Sequence, residues 1–130
     1  MNINICIITP DEIFLNQSID EVILPTNTGQ MGVLANHAPL ITALDIGVML
    51  MRIGKEWKSL VLMGGFALVK QNQITVLVNE IETEENIDIA GAEKAFLIAK
   101  QNFENATSAK QKVETNFAYK RARARLQATK

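Results

Sequence analysis

The composition of the chain changes at residues 80–85, and this change divides the sequence into two parts with different secondary structure. Before it, short β-prone runs alternate with Gly, Pro, Asn and Asp turn signals. From Asp88 onward Ala, Glu, Lys and Gln dominate, with one glycine and no proline, a composition that favours helix. We therefore predict a β + α chain, with an antiparallel β-sandwich or barrel in residues 1–84 and helices in residues 85–130.

Alternating and continuous apolar runs define the predicted strands of the first part. They are residues 2–9, 12–15, 20–24, 40–44, 48–53, 57–63, 66–70 and 74–79. Turns are expected at 45–47 and 71–73. Gly64-Gly65 interrupts one run and predicts a bulge or a close backbone approach.

The stretch Pro25–Leu40 combines two prolines, two glycines and the turn-prone residues Asn27, Thr28 and Asn36 with several apolar side chains. Its turn chemistry predicts an exposed loop or a pair of tight corners. A rigid and partly apolar loop is well suited to contacting another protein, so we interpret this stretch as a docking surface.

Two capping signals predict a helical hairpin in the second part. Asp88 can cap the first helix, and Ser108 with Gln111 matches a capping box for the second. The short 105–108 connection makes the helices antiparallel neighbours. Their expected apolar positions are Ala92, Phe96, Ala99, Phe103 and Ala106 in the first helix and Val113, Phe117, Ala124 and Ala128 in the second.

Charge is distributed unevenly between the two parts. Residues 1–84 carry four basic and nine acidic residues, whereas residues 85–130 carry nine basic and five acidic ones. The densest basic run contains Lys120, Arg121, Arg123 and Arg125. A solvated helix end, a nucleic-acid-binding surface and a surface that docks on an acidic protein all fit this run, although the acidic first part disfavours nucleic acid.

The sequence contains no recognisable catalytic or metal-binding pattern. His37 is the only histidine and Cys6 the only cysteine, so neither a metal site nor a cofactor is expected. No apolar run reaches the ~18 residues that a membrane span needs. We predict a non-catalytic chain.

Five stretches carry a family resemblance. They are TNTGQMGVL at 26–34, NHAPL at 36–40, LMGGFA at 62–67, ITVLVN at 74–79 and YKRARAR at 119–125. In this order and spacing the chain resembles the epsilon subunit of F-type ATP synthases, most closely the chloroplast and cyanobacterial branch. The resemblance implies a sandwich of about ten strands followed by an antiparallel two-helix hairpin.

The resemblance also implies partners. Family members belong to the central rotor and bind the gamma subunit and the c-ring, and the ring-facing loop corresponds here to Gly29, Gln30, Met31, Gly32 and His37. It implies a peripheral position on the thylakoid membrane, on the stromal side in a chloroplast or the cytoplasmic side in a cyanobacterium. The alternative hypothesis is a small nucleic-acid-binding module that uses the basic last helix.

The family's hairpin can rise along the shaft and inhibit ATP hydrolysis. The resemblance then places Lys120, Arg121, Arg123 and Arg125 against the catalytic beta subunits, with alpha nearby. Some bacterial relatives bind ATP on the folded hairpin, and the matching positions here are Glu82, Asp88, Arg121 and Arg125. Gly91 replaces an arginine of that motif and removes a charge-assisted contact, so tight ATP binding is not expected.

The alanine-rich helices predict a weakly held, separable hairpin, because an alanine seam buries little apolar area. Backbone amides of residues 90–126 should therefore exchange with solvent faster than those of residues 74–79. Hydrogen exchange measured residue by residue checks this, and equal protection of the two segments would contradict it.

Overall fold

The computed structural model describes residues 3–83 and 87–129. In this part of the chain, eight strands form the β-sandwich and two helices follow. The strands are β1 (Ile3–Ile8), β2 (Ile13–Ile19), β3 (Glu21–Thr26), β4 (Gly29–Val33), β5 (Leu40–Ile53), β6 (Glu56–Lys70), β7 (Gln73–Val78) and β8 (Ile81–Thr83). The helices are α1 (Ile89–Glu104) and α2 (Ala109–Ala128).

The strands follow the order β2-β1-β7-β6-β5-β3-β4, with β8 paired to β6. All pairs are antiparallel except β1 with β7, which run parallel. The prediction of an antiparallel sandwich is therefore right for six of the seven pairings described here. In the parallel pair, β1 lies inside the sheet between β2 and β7.

The described part of the chain has eight strands, fewer than the ten that the resemblance implies. β5 and β6 are each one long strand where two runs were predicted, whereas β4 and β8 lie outside the predicted runs. The β5–β6 ladder keeps the same register on both sides of Asp45, from Ile46 opposite Met63 to Leu44 opposite Gly65. The turn predicted at 45–47 is therefore wrong. At Gly65 a Cβ atom would lie 2.1 Å from the carbonyl oxygen of Leu77, so the predicted close backbone approach is confirmed.

Of the two arrangements expected for the 25–40 stretch, the structure shows the pair of corners and not one loop. β3 continues through Thr26, and the short edge strand β4 follows after a two-residue turn. The acidic segment near residue 82 contains β8; its residues 84 and 85 and the predicted domain boundary lie outside the described residues.

Strict alternation builds the core of the sandwich. In β1 the side chains of Ile3, Ile5 and Ile7 are buried while their neighbours are half-buried. The other fully buried large side chains of this core are Ile19, Val22, Leu24, Val33, Met49, Leu62, Val69 and Ile74. Val61 is also fully buried, but it packs against the hairpin. The core is therefore aliphatic.

The helical hairpin begins and turns where the sequence predicts. The Asp88 carboxylate accepts a hydrogen bond from the Gly91 N–H at 3.2 Å, and Ser108 with Gln111 forms the complete capping box. Of the predicted apolar positions, Ala92, Ala99, Ala124 and Ala128 are buried. Val113 and Phe117 remain 70% and 53% exposed, so this expectation is wrong for them in the folded-down hairpin. None of the described helices is long and apolar enough to cross a membrane.

We expect Gly65→Ala to destabilise the sandwich by about 3 kcal/mol or more, because an added methyl group would collide with the Leu77 carbonyl at a positive φ of 147°. Urea unfolding followed by the fluorescence of Trp57 measures the effect. Gly32→Ala is the matched control, since a Cβ there meets no atom within 4 Å, and it should change stability by less than about 0.5 kcal/mol. Equal stability of the two variants would contradict the interpretation.

Candidate functional site

The hairpin rests on the sandwich through a small apolar seam. Ala124 and Ala128 of α2 pack against Ile46 and Val61, and Val48, Met63 and Ile87 surround this cluster. The Ser59 hydroxyl also donates to the Ala128 carbonyl oxygen at 3.3 Å. Because two alanine methyl groups form the helix side of the seam, apolar burial alone holds α2 weakly.

Ion pairs supplement this seam. Lys120 Nζ lies 3.1 Å from the Asp45 carboxylate. Arg125 forms a bidentate pair with Glu82, in which its Nε donates at 2.7 Å and its Nη2 donates to the other carboxylate oxygen. Arg121 Nη2 lies 3.8 Å from Glu82. Three cations of α2 are thus paired with carboxylates of the sandwich.

The Arg125–Glu82 pair is the strongest of these contacts electrostatically. The hydrogen bond from Arg125 lowers the pKa of Glu82 below its ordinary range, and the same bond raises the pKa of Arg125. A lowered carboxylate pKa means that the pair stabilises the docked hairpin above the ordinary glutamate pKa and loses this effect as acid protonates Glu82. Both side chains are partly exposed, so water screens the pair and its net contribution is small.

Arg123 differs from the other three predicted cations. It is exposed, and its guanidinium lies 5.5 Å from the centroid of the Tyr119 ring. That ring stacks on Phe103 at 5.5 Å and contacts Phe96 at 5.6 Å. These aromatic contacts join α1 to α2 without involving the sandwich.

Three of the four predicted nucleotide-site residues line one cavity of about 250 Å³. Glu82, Asp88 and Arg125 surround it together with Gly91, while Arg121 lines a neighbouring groove between the helices. Arg125 is already paired with Glu82, and the Asp88 carboxylate caps α1. A phosphate entering this cavity would meet two carboxylates and one occupied cation. The expectation of weak ATP binding stays a prediction.

The predicted ring-facing residues lie on the two corners described above. Gly29, Gln30 and Gly32 are exposed on β4, and Met31 is half-buried. His37 is half-buried in the segment that follows, with its Nδ1 2.7 Å from the Ala38 carbonyl oxygen. This surface presents backbone and neutral polar groups.

Sequence reasoning missed an apolar face on the outside of the sheet. Two neighbouring rows of paired residues cross β1, β7, β6 and β5; one is Cys6, Thr75, Leu68 and Ile41, and the other is Ile8, Leu77, Phe66 and Ala43. Ile41, Phe66 and Leu77 are 73%, 58% and 50% exposed. The sequence signal for this face was the run 66–69, which has no polar residue at its outward positions. Such a run indicates a strand covered on both faces, but here the sandwich core covers only one face and the other stays exposed.

The part of the chain that the structure describes contains no group of three or more His, Cys, Asp or Glu side chains suited to a metal ion. The candidate sites described here are the two corners, the apolar face, the cations of α2 and the small cavity beside Glu82 and Arg125.

Comparison with known families agrees with this two-part architecture. The beta-sandwich domain of the ATP synthase delta/epsilon chain matches residues 2–84, and the long alpha-helix domain of the same chain matches residues 85–130. The chain belongs to the ATP synthase delta/epsilon family.

Two relatives match this chain over nearly its whole length. The chain is 70% identical over 127 residues to the chloroplastic ATP synthase epsilon chain of Oltmannsiellopsis viridis, covering 98% of this chain and 97% of the relative. It is 60% identical over 130 residues to the chloroplastic epsilon chain of Chlorella vulgaris, covering 100% and 97%.

Solved structures show the same fold. A chain of the Euglena gracilis mitochondrial ATP synthase, described as OSCP/F1/c-ring in rotational state 1, matches with a TM-score of 0.85 and 25% identity, covering 98% of this chain and 80% of that one. The family resemblance and the non-catalytic role predicted from the sequence are confirmed, and the nucleic-acid-binding alternative is not supported.

Glu82→Gln should weaken the docking of the hairpin by about 0.5–1 kcal/mol at neutral pH, because it removes the charge that Arg125 binds. In the unmodified chain the stabilisation that Glu82 gives to hairpin docking should decrease as the pH drops below about 4.3, the ordinary pKa of glutamate. The variant should lack this acid response. The amide shifts of Ala124 and Ala128, followed by NMR from pH 7 to pH 3, measure both effects.

Glu21→Gln serves as the matched control for this prediction. Glu21 pairs with Arg52 at 3.1 Å within the sandwich, so its loss should leave the shifts of the two alanines and their acid response unchanged. An identical titration for Glu82→Gln and the unmodified chain would contradict the assignment.

Proposed function

We propose that this chain acts as a non-catalytic central-stalk subunit of a proton-driven rotary ATP synthase, where it couples rotation of the c-ring to the gamma subunit. Its family, its relatives named as epsilon chains and its likeness to a chain of an F1/c-ring assembly support this role. A rotor subunit needs a body that stays attached to its partners while it turns, and the aliphatic sandwich core provides one.

The apolar face fits the more permanent of these contacts. Its two rows contain no charged residue, and Phe66, Leu68 and Ile41 stand exposed at its centre. Obligate interfaces bury such apolar surfaces. We assign this face to the gamma subunit.

The two corners fit a more polar partner. Gly29, Gln30 and Gly32 expose backbone and amide groups, and His37 adds a half-buried imidazole ring. The polar loops of a c-ring present the complementary hydrogen-bonding groups. We assign this surface to the c-ring.

The ion-paired hairpin supports a regulatory role, and this observation carries that part of the proposal. Lys120, Arg121 and Arg125 are neutralised by sandwich carboxylates in the folded-down arrangement. Release of α2 would present these cations, with Arg123, to an acidic surface of the catalytic beta and alpha subunits. The raised hairpin would then block ATP hydrolysis.

The energies favour such an exchange. Partly exposed ion pairs contribute about 0–1 kcal/mol each, and the alanine seam adds little. If a partner binds the raised hairpin a few kcal/mol more tightly than the sandwich binds the folded-down hairpin, most of the population would therefore shift to the raised form.

The relative from Oltmannsiellopsis viridis is named a chloroplastic epsilon chain, and one from Prototheca wickerhamii, 54% identical, is named a plastid epsilon chain. We propose that this chain also works in a chloroplast, held peripherally on the stromal side of the thylakoid membrane through its c-ring and gamma contacts.

Truncation after Glu85 should preserve assembly and proton-coupled ATP synthesis while raising ATP hydrolysis in de-energised membranes, because it removes the hairpin alone.

Leu68→Asp should impair assembly, because it places a charge in the centre of the apolar face. ATP synthase depleted of this subunit and rebuilt with each variant allows synthesis, hydrolysis and retention of the subunit to be measured together.

Lys70→Asp, at an exposed position of the same strand outside the two apolar rows, controls for added charge and should assemble normally. Unchanged hydrolysis after truncation would refute the inhibitory role, and normal assembly of Leu68→Asp would refute the assignment of the apolar face.

A further inference from the structure

The turn between β6 and β7 contains an asparagine that joins three separate segments. Gln71 and Asn72 both have positive φ angles, 52° and 60°, and they connect the paired residues Lys70 and Gln73. Two consecutive left-handed residues are typical of a tight hairpin turn that matches the twist of its strands. Asparagine adopts this conformation more readily than most residues.

The side chain of Asn72 reaches the segment that carries His37. Its Oδ1 accepts a hydrogen bond from the backbone N–H of Asn36 at 2.6 Å. Asn36 itself has a positive φ of 68° and lies in a turn at residues 35–36. The bond therefore fixes the orientation of the Ala35–Asn36 peptide, one residue before His37.

The backbone of Asn72 is fixed as well. Its carbonyl oxygen accepts a hydrogen bond from the Asn4 N–H at 3.0 Å, next to the parallel β1–β7 ladder. The residue is thus tied to the sheet through its main chain and to the 34–39 segment through its side chain. Outside regular secondary structure, a segment with few such ties would sample several conformations.

We propose that Asn72 is the positioning residue of the 34–39 segment and holds His37 in the conformation that meets the partner. The identity of this partner as a c-ring rests on the proposed function, whereas the positioning itself does not. This role requires a residue that tolerates a positive φ and has a side-chain oxygen to accept the hydrogen bond. Asn and Asp meet both requirements, whereas Gly tolerates the angle but has no side-chain acceptor.

Asn72→Gly tests this role because it keeps the turn and removes the acceptor. Amide exchange at Asn36 in the full-length chain should accelerate at least about fivefold, the factor expected for loss of one hydrogen bond. In depleted membranes, the concentration of subunit that restores half of the ATP synthesis should rise by a similar factor. Asn72→Asp should return both values toward those of the unmodified chain.

Gln71→Gly is the matched control in the same turn and should change neither value. The proposal is overturned if Asn36 exchanges equally fast in Asn72→Gly and in the unmodified chain. It is also overturned if Asn72→Gly speeds Asn36 exchange but reconstitutes ATP synthesis as well as the unmodified chain does, while His37→Ala reconstitutes it less well. If His37→Ala reconstitutes normally, the c-ring assignment fails, and the Asn36 exchange rates still decide whether Asn72 positions the segment.

Discussion

The long β5–β6 ladder is the element on which the rest of the structure depends. Thirteen residue pairs run in one register from Leu40 to Ile53 and give the sandwich its longest continuous pairing. β3 and β7 extend the sheet on either side of the ladder, β8 pairs with β6, and α2 lies against both long strands. The apolar face, the first corner and the hairpin seam are therefore fixed relative to one another by a single pair of strands. A coupling subunit needs such rigidity between its contact surfaces.

Ion pairs, and not strand pairing, set the position of the hairpin on the sandwich. The sandwich is acidic and the hairpin basic, and the opposite charges meet at a few partly exposed pairs rather than in a buried network. Water screens such pairs, so they specify where α2 lies without fixing it strongly. The aromatic contacts of Tyr119 with Phe96 and Phe103 join the two helices independently of the sandwich. The two helices are therefore held to each other by contacts that do not depend on the sandwich.

Much of this arrangement could be predicted from the sequence, and the failures have physical causes. Helix caps depend on local side-chain chemistry, so Asp88 and the Ser108 capping box were predictable. The turn predicted at 45–47 failed because ladder hydrogen bonds from β6 outweigh the local preference of Asp and Gly. The pairing of Glu82 with Arg125 joins residues 43 positions apart, and the apolar face depends on which side of each strand the core occupies. Neither follows from local pattern.

The parallel pairing of β1 with β7 has a consequence for how the chain folds as it is synthesised. Residue 4 faces residue 73 across this ladder, so the first strand acquires its inner neighbour only after more than half of the polypeptide has been made. Closure over so many residues slows folding, whereas the helices form from neighbours in sequence. Until β7 emerges, β1 and β2 present an unpaired sheet edge to the cell, and this interval is when a nascent chain is most exposed to mispairing.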